Sequence, residues 1–170
     1  TEEAQSAPFE ASVTVDGIKI TVTADEGVFP VGSYLAVEKV NGDVVNQNDN
    51  LVSSMTFDIC IFNADGVEIE PDTAHGEVHV SFVDNRFADS NLDASIYHIQ
   101  NDEPVAMEYD VDGNEATAST DGFSLYTVEF TYGDMQYVLH GDTSVALSEI
   151  LNAVGLTGDV TNVTVSDSSL

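Results

Sequence analysis

The stretch Phe9-Glu10-Ala11-Ser12-Val13-Thr14-Val15-Asp16-Gly17-Ile18-Lys19-Ile20-Thr21-Val22-Thr23-Ala24 decides how the chain is read. Apolar side chains take alternate positions on both sides of Asp16-Gly17, so each arm can bury one face and wet the other. Asp-Gly is the strongest short hairpin signal, because a two-residue turn that matches strand twist needs positive φ at both positions. Two antiparallel strands are therefore expected here, and the same alternation continues to residue 132.

Working outward, residues 1–8 read as disordered or a linker. Phe29-Pro30-Val31-Gly32 predicts a turn before a third strand from Tyr34 through Glu38-Lys39-Val40, ended by Asn41-Gly42. Residues 43–53 are polar and weakly patterned, which predicts a loop or a short irregular helix. The next strand, 55–62, is apolar on both faces except at Thr56 and Asp58, as suits a central strand. Asn63-Ala64-Asp65-Gly66 turns it toward Val67–Ile69, and Pro71 stops that segment. Further strands are expected at 77–83, with Val78, Val80 and Phe82 facing in, and at 94–100, 104–111, 116–120 and 123–131. Asp-Gly pairs begin at Asp16, Asp65, Asp112 and Asp121. Many short strands with close-set turns predict a mainly β fold, an antiparallel β-sandwich over residues 9–132.

The pattern changes near Gly133. Met135–Leu139 reads as a strand, and residues 142–155 as a helix capped by Thr143 or Ser144. Val145, Leu147, Ile150, Leu151 and Val154 would form its apolar stripe, Gly155 its end, and Val160, Val163 and Val165 a following strand. Residues 133–170 are thus expected to be a small strand-helix-strand extension, or the start of a truncated domain.

Of 170 residues, 31 are Asp or Glu, against only Lys19, Lys39 and Arg86 as permanent cations, a formal net charge of -28. No basic patch can be assembled from three scattered cations, so nucleic-acid binding is excluded as a function class. Self-repulsion predicts a soluble monomer whose stability rises with salt or Ca²⁺. A salt-loving source would also account for so few lysines. No apolar run reaches the 18 or more residues of a spanning helix, so direct membrane insertion is not expected. The start at Thr1, without Met, reads as a processed chain or a fragment of a larger protein. Cys60, the single cysteine, has no internal disulfide partner and reads as a small buried hydrophobe.

Four segments carry a family likeness: Ile20-Thr21-Val22-Thr23-Ala24-Asp25-Glu26-Gly27-Val28-Phe29-Pro30-Val31-Gly32, residues 57–71 (Phe-Asp-Ile-Cys-Ile-Phe-Asn-Ala-Asp-Gly-Val-Glu-Ile-Glu-Pro), Glu77-Val78-His79-Val80-Ser81-Phe82, and Thr120-Asp121-Gly122-Phe123-Ser124-Leu125-Tyr126-Thr127-Val128. Together, over residues 10–132, they resemble β-sandwich modules in surface proteins of Gram-positive gut bacteria. Those modules look like the sandwich shared by ankyrins, netrin receptors and a self-cleaving death-domain adaptor. The resemblance implies an extracellular or cell-surface location and adjacent domains as partners. The self-cleaving relatives carry His-Phe-Ser near the last strand and break the Phe-Ser bond by an N-to-O acyl shift, the His taking the Ser proton. Residue by residue, Phe123 and Ser124 match the scissile pair, and Gly122 stands where the His belongs. Gly122 offers no base. His98 or His140 could replace it only if the fold brought one within about 3 Å of the Ser124 hydroxyl. Otherwise Phe123 is a core anchor, Ser124 lies at a sheet edge or in solvent, and Gly122 serves a turn with positive φ.

Other sites are expectations of the residues alone. Asp110, Asp112 and Asn114, and separately Asp65 beside Asn63, place oxygen ligands around glycine turns and are candidates for Ca²⁺, though neither follows a complete calcium loop. No cofactor is required. His75, Glu77 and His79 alternate and would share one face of a strand, a weak transition-metal pattern because alternate positions lie about 6.5–7 Å apart. Lys39 is the one lysine open to an internal Lys-Asn crosslink. Tyr34, Tyr97, Tyr109, Tyr126, Tyr132 and Tyr137 could form an exposed glycan platform. The function expected from all this is a non-enzymatic structural or adhesive module of a secreted or cell-surface multidomain bacterial protein, with a possible host or microbial surface ligand. The alternatives are a self-processing domain cut at Phe123-Ser124 and a calcium-dependent or glycan-binding module.

Overall fold

The computed structural model describes residues 7–41, 51–133 and 146–153. The chain divides into two compact units, Thr1–Tyr132 and Gly133–Leu170. In the first, one antiparallel sheet has the order β1 (Phe9–Val15), β2 (Ile18–Ala24), β6 (Val78–Val83), β10 (Glu115–Ser119), β9 (Asp110–Asp112). The other has the order β3 (Tyr34–Val40), β4 (Leu51–Phe62), β11 (Leu125–Tyr132), β7 (Leu92–Gln100), β8 (Glu103–Ala106), with the two-residue β5 (Glu68–Ile69) also paired to β4. This is the expected mainly β sandwich.

The opening hairpin forms as its sequence requires. Asp16 and Gly17 take φ of 52° and 84°, and β1 and β2 pair in unbroken register from Phe9 opposite Ala24 to Val15 opposite Ile18. Asp16 also meets the Lys39 ammonium. Alternation then becomes a core: Ile18, Ile20, Val22, Val78, Val80, Phe82, Ala116 and Ala118 from one sheet lie at 2% exposure or less. Phe57, Ile59, Ile61, Ile96, Tyr126, Val128 and Phe130 from the other are equally enclosed. Phe82 joins the layers, its ring 6.4 Å from Phe57 and 6.3 Å from Tyr126. Each of the valine, isoleucine and phenylalanine side chains contributes roughly 1.5–3 kcal/mol by leaving water.

Three segments depart from the reading of sequence. The polar stretch before residue 55 is already strand from Leu51, because Leu51 and Ser53 pair with Thr131 and Phe130 of β11. Weak local preference yields there to a ready-made ladder partner. The expected strand 104–111 is two strands in different sheets, β8 against β7 and β9 against β10. Between them the Met107 amide bonds the Ile96 carbonyl at 2.8 Å and the Tyr109 hydroxyl donates to the Ala94 carbonyl at 2.5 Å, carrying the chain across. Residues 73–75 form a turn, so His75 leaves the expected row, and only Glu77 and His79 of the three remain side by side.

A short 3-10 turn, Asn85–Ala88, follows β6. Asp84 caps it by accepting from the Arg86 amide at 2.8 Å, and the Arg86 guanidinium returns to the same carboxylate at 2.7 Å while lying 4.5 Å over the Phe130 ring. In the second unit the described helix is α1 (Leu147–Ala153). The expected cap, the helix ends, the strands at Met135–Leu139 and Val160–Val165, and His140 and Tyr137, lie outside the described residues. Among the described residues, no helix is long and apolar enough to cross a membrane.

Candidate functional site

Phe123 and Ser124 lie immediately before β11, where the chain enters the middle of its sheet between β4 and β7. Phe123 is a core anchor, 6% exposed, with its ring near those of Phe29 and Tyr126. Its amide donates to the Glu70 carboxylate at 3.1 Å, just past β5. On one side of the peptide bond that joins the pair, the Gly122 carbonyl accepts from the Tyr126 hydroxyl at 2.6 Å and lies 2.8 Å from the Thr120 hydroxyl. On the other, the Ser124 carbonyl accepts from the Ile59 amide at 3.0 Å. The backbone is therefore held on both sides of the candidate scissile bond.

Ser124, expected at a sheet edge or in solvent, is instead half-buried at the head of a strand flanked on both sides. Its hydroxyl lies 2.9 Å from Nε2 of His98 and donates to the Ile99 carbonyl at 2.9 Å. His98 comes from β7, and the register that sets it opposite Tyr126 brings it diagonally onto Ser124. It belongs to the core-facing row of β7, in phase with Ile96, and is only 5% exposed. Its ring stacks on Tyr126, centroids 4.4 Å apart and planes 7° from parallel. Nδ1 meets the Gln100 amide nitrogen at 3.0 Å. A polar ring in an apolar row needs partners at both nitrogens, and it has them.

Burial pushes the His98 pKa below the usual histidine value, against the charges of Asp121 and Glu70, which raise it. Neutral pH therefore finds a neutral imidazole. A folded pKa held below the unfolded one means that acid favours the unfolded chain, which binds the proton more readily. The stability is complete above about pH 6.5 and is lost as pH falls through the lowered folded value. Replacing His98 by Gln should flatten this part of the profile: urea titrations of both proteins should show the wild type losing more unfolding free energy than the variant as pH drops below about 6.5. Parallel profiles would contradict a buried neutral His98.

Gly122 is not a positive-φ glycine; among the described residues the glycines with positive φ are 17, 27, 32, 66 and 113. A Cβ at position 122 would stand 3.2 Å from a Glu70 carboxylate oxygen, so this carboxylate occupies the space into which a side chain would grow. His98 and Gln100 also line an open cleft of about 1350 Å³, together with His79, Met107, Tyr109 and Asp121.

The remaining candidates do not converge. Asp110 and Asp112 are exposed on β9, and the Asn114 amide is engaged by Asn85 at 3.0 Å. Asn63 uses its side-chain oxygen to accept from the Asp65 and Val67 amides at 3.0 and 2.9 Å, an internally satisfied turn. Among the described residues, no group of three or more His, Cys, Asp or Glu is placed to hold a metal ion. His79 meets Glu77 at 3.5 Å and Ser119 at 3.2 Å, while His75 pairs with Asp72. Lys39 is exposed and paired with Asp16, unlike a buried crosslinking lysine. Tyr126 is fully enclosed and Tyr109 is tied to the Ala94 carbonyl, so these two cannot join an exposed platform. Cys60 is half-buried beside Asp58 and Glu68, its thiol pushed up to about 12 first by burial and then by Asp58, which makes it a poor nucleophile. No family model matches the chain, and neither the curated proteins nor the solved structures include a match.

Proposed function

We propose that the chain is a structural or adhesive module of a secreted or cell-surface multidomain bacterial protein, with no activity on outside substrates. The observation that supports this most is the core itself: apolar rows from both sheets close on each other between Phe9 and Tyr132, and Glu129 is the one Asp, Glu, Lys or Arg enclosed among the described residues. Such a unit should stand alone. Residues 1–132 expressed by themselves should unfold in one cooperative urea transition followed identically by circular dichroism and tyrosine fluorescence. Loss of cooperativity in that fragment would overturn the reading.

A second reading is favoured by one specific contact, the 2.9 Å approach of His98 to the Ser124 hydroxyl. It puts beside Ser124, from a neighbouring strand, an imidazole whose other tautomer would be the proton acceptor that residue 122 lacks, and so favours self-processing between Phe123 and Ser124. Mass spectrometry under denaturing conditions separates the two. The expected result for freshly folded protein is a single species near 18.1 kDa. A pair of fragments meeting between Phe123 and Ser124 would establish the second reading instead.

A further inference from the structure

Proton counting around His98 decides whether Ser124 can react. A neutral imidazole carries one N–H. In the structure the Gln100 amide nitrogen faces Nδ1 at 3.0 Å. An amide nitrogen only donates, so Nδ1 accepts, the ring proton is on Nε2, and Nε2 donates to the Ser124 oxygen. The Ser124 proton then goes to the Ile99 carbonyl, 2.9 Å away. Every group is satisfied, and in this arrangement His98 cannot take the Ser124 proton. Turning the Gln100 amide over exchanges its oxygen and nitrogen at little steric change. The oxygen then accepts from Nδ1–H, and the Nε2 lone pair faces the Ser124 hydroxyl.

We propose that Gln100 is the positioning residue that fixes the His98 tautomer, keeping Ser124 unreactive in the orientation seen and arming it for self-processing when the amide is reversed. This rests on the self-processing reading. In the armed form the Ser124 proton passes to Nε2 as Oγ bonds the Phe123 carbonyl carbon. Collapse breaks the bond from that carbon to the Ser124 nitrogen, which receives the proton from His98. The amide becomes an ester with no other reactant. Water then cleaves the ester, leaving a carboxyl on Phe123 and a free amino group and hydroxyl on Ser124. Stacking on Tyr126 keeps the ring plane fixed through both states, so only the ring proton, the Gln100 amide and the Ser124 hydroxyl proton, which leaves the Ile99 carbonyl, need move.

The test uses the full chain. Nitrogen-15 NMR of labelled histidine at pH 8, with His98→Gln to identify the signal, is expected to show His98 protonated on Nε2. Protonation on Nδ1 in the wild type overturns the proposal. Gln100→Glu presents only acceptors to Nδ1 and is expected to move the proton there. In hydroxylamine, which traps esters, this variant should then yield fragments ending at Phe123 and beginning at Ser124 at least about 100-fold faster than the wild type, the scale of a positioned general base. Ser124→Ala in the same background should abolish them. An unmoved tautomer defeats the role of Gln100 and leaves the self-processing reading standing. A moved tautomer without fragments defeats the reading itself. Should Gln100→Glu fail to fold, Gln100→Leu serves: loss of the amide should give a mixture of both tautomers, and an unchanged Nε2–H form overturns the assignment.

Discussion

Replacing Phe82 by Ala should lower the unfolding free energy by about 3–5 kcal/mol, enough to remove a large part of the roughly 5–15 kcal/mol that holds an ordinary domain together. Phe82 is fully enclosed, stands between Ile20 and Ala116 in its own sheet, and puts its ring against Phe57 and Tyr126 of the other. The cost has two parts, the lost transfer of the ring from water and the void left behind. The second is large here because both flanking strands are pinned by continuous ladders, so the site cannot collapse to fill the gap. Urea denaturation of the variant should show a lower midpoint with little change in slope. A loss under about 1 kcal/mol would mean that the two sheets are not packed through this ring.

Arg86→Ala should cost about 2 kcal/mol at pH 7. The guanidinium makes a forked contact with Asp84, at 2.9 Å to one oxygen and 2.7 Å to the other, and rests on Phe130. Removing one partner of a fully buried pair typically costs about 3–5 kcal/mol, but Arg86 is about a third exposed and water softens the loss. The ring contact adds roughly 0.5–1 kcal/mol. The variant should also respond differently to acid. Hydrogen bonds from Arg86 hold the Asp84 carboxyl below its ordinary range, although burial opposes them. A depressed carboxyl stabilises the fold above its unfolded pKa of about 3.9 and stops doing so as pH falls through the folded value. The penalty for losing Arg86 should therefore be full at neutral pH and shrink below about pH 4. A penalty constant from pH 7 to pH 3 would place the effect in the arginine stem and not in its charge.

The fold was legible wherever local chemistry and long-range pairing agree. Asp16-Gly17 and its flanking alternation prescribe the first hairpin residue by residue, and Val78, Val80 and Phe82 face inward as their spacing requires. Where structure is imposed by a distant partner, the sequence is silent. Leu51–Ser54 is a strand because β11 lies beside it, and 104–111 divides because Tyr109 and Met107 anchor the crossing between sheets. The serine-histidine pair was half visible. Phe123 and Ser124 were marked by their motif, and His98 was one of two possible partners, but the pairing depends on the register of β7 against β11, which residues 26 positions apart do not announce. The usable clue was phase: a histidine in line with Ile96 in an inward row has to meet a hydrogen-bonding partner inside the sandwich.

β11 is flanked along its length by β4 and β7, both antiparallel to it. A severed backbone at its head would consequently leave the shape, scattering profile and elution volume of the molecule untouched, since the ladders on either side persist. Pulling force is what would reveal it. An uncut chain transmits tension through covalent bonds, whereas a nicked one transmits it through hydrogen bonds sheared in parallel, turning β11 into a mechanical fuse.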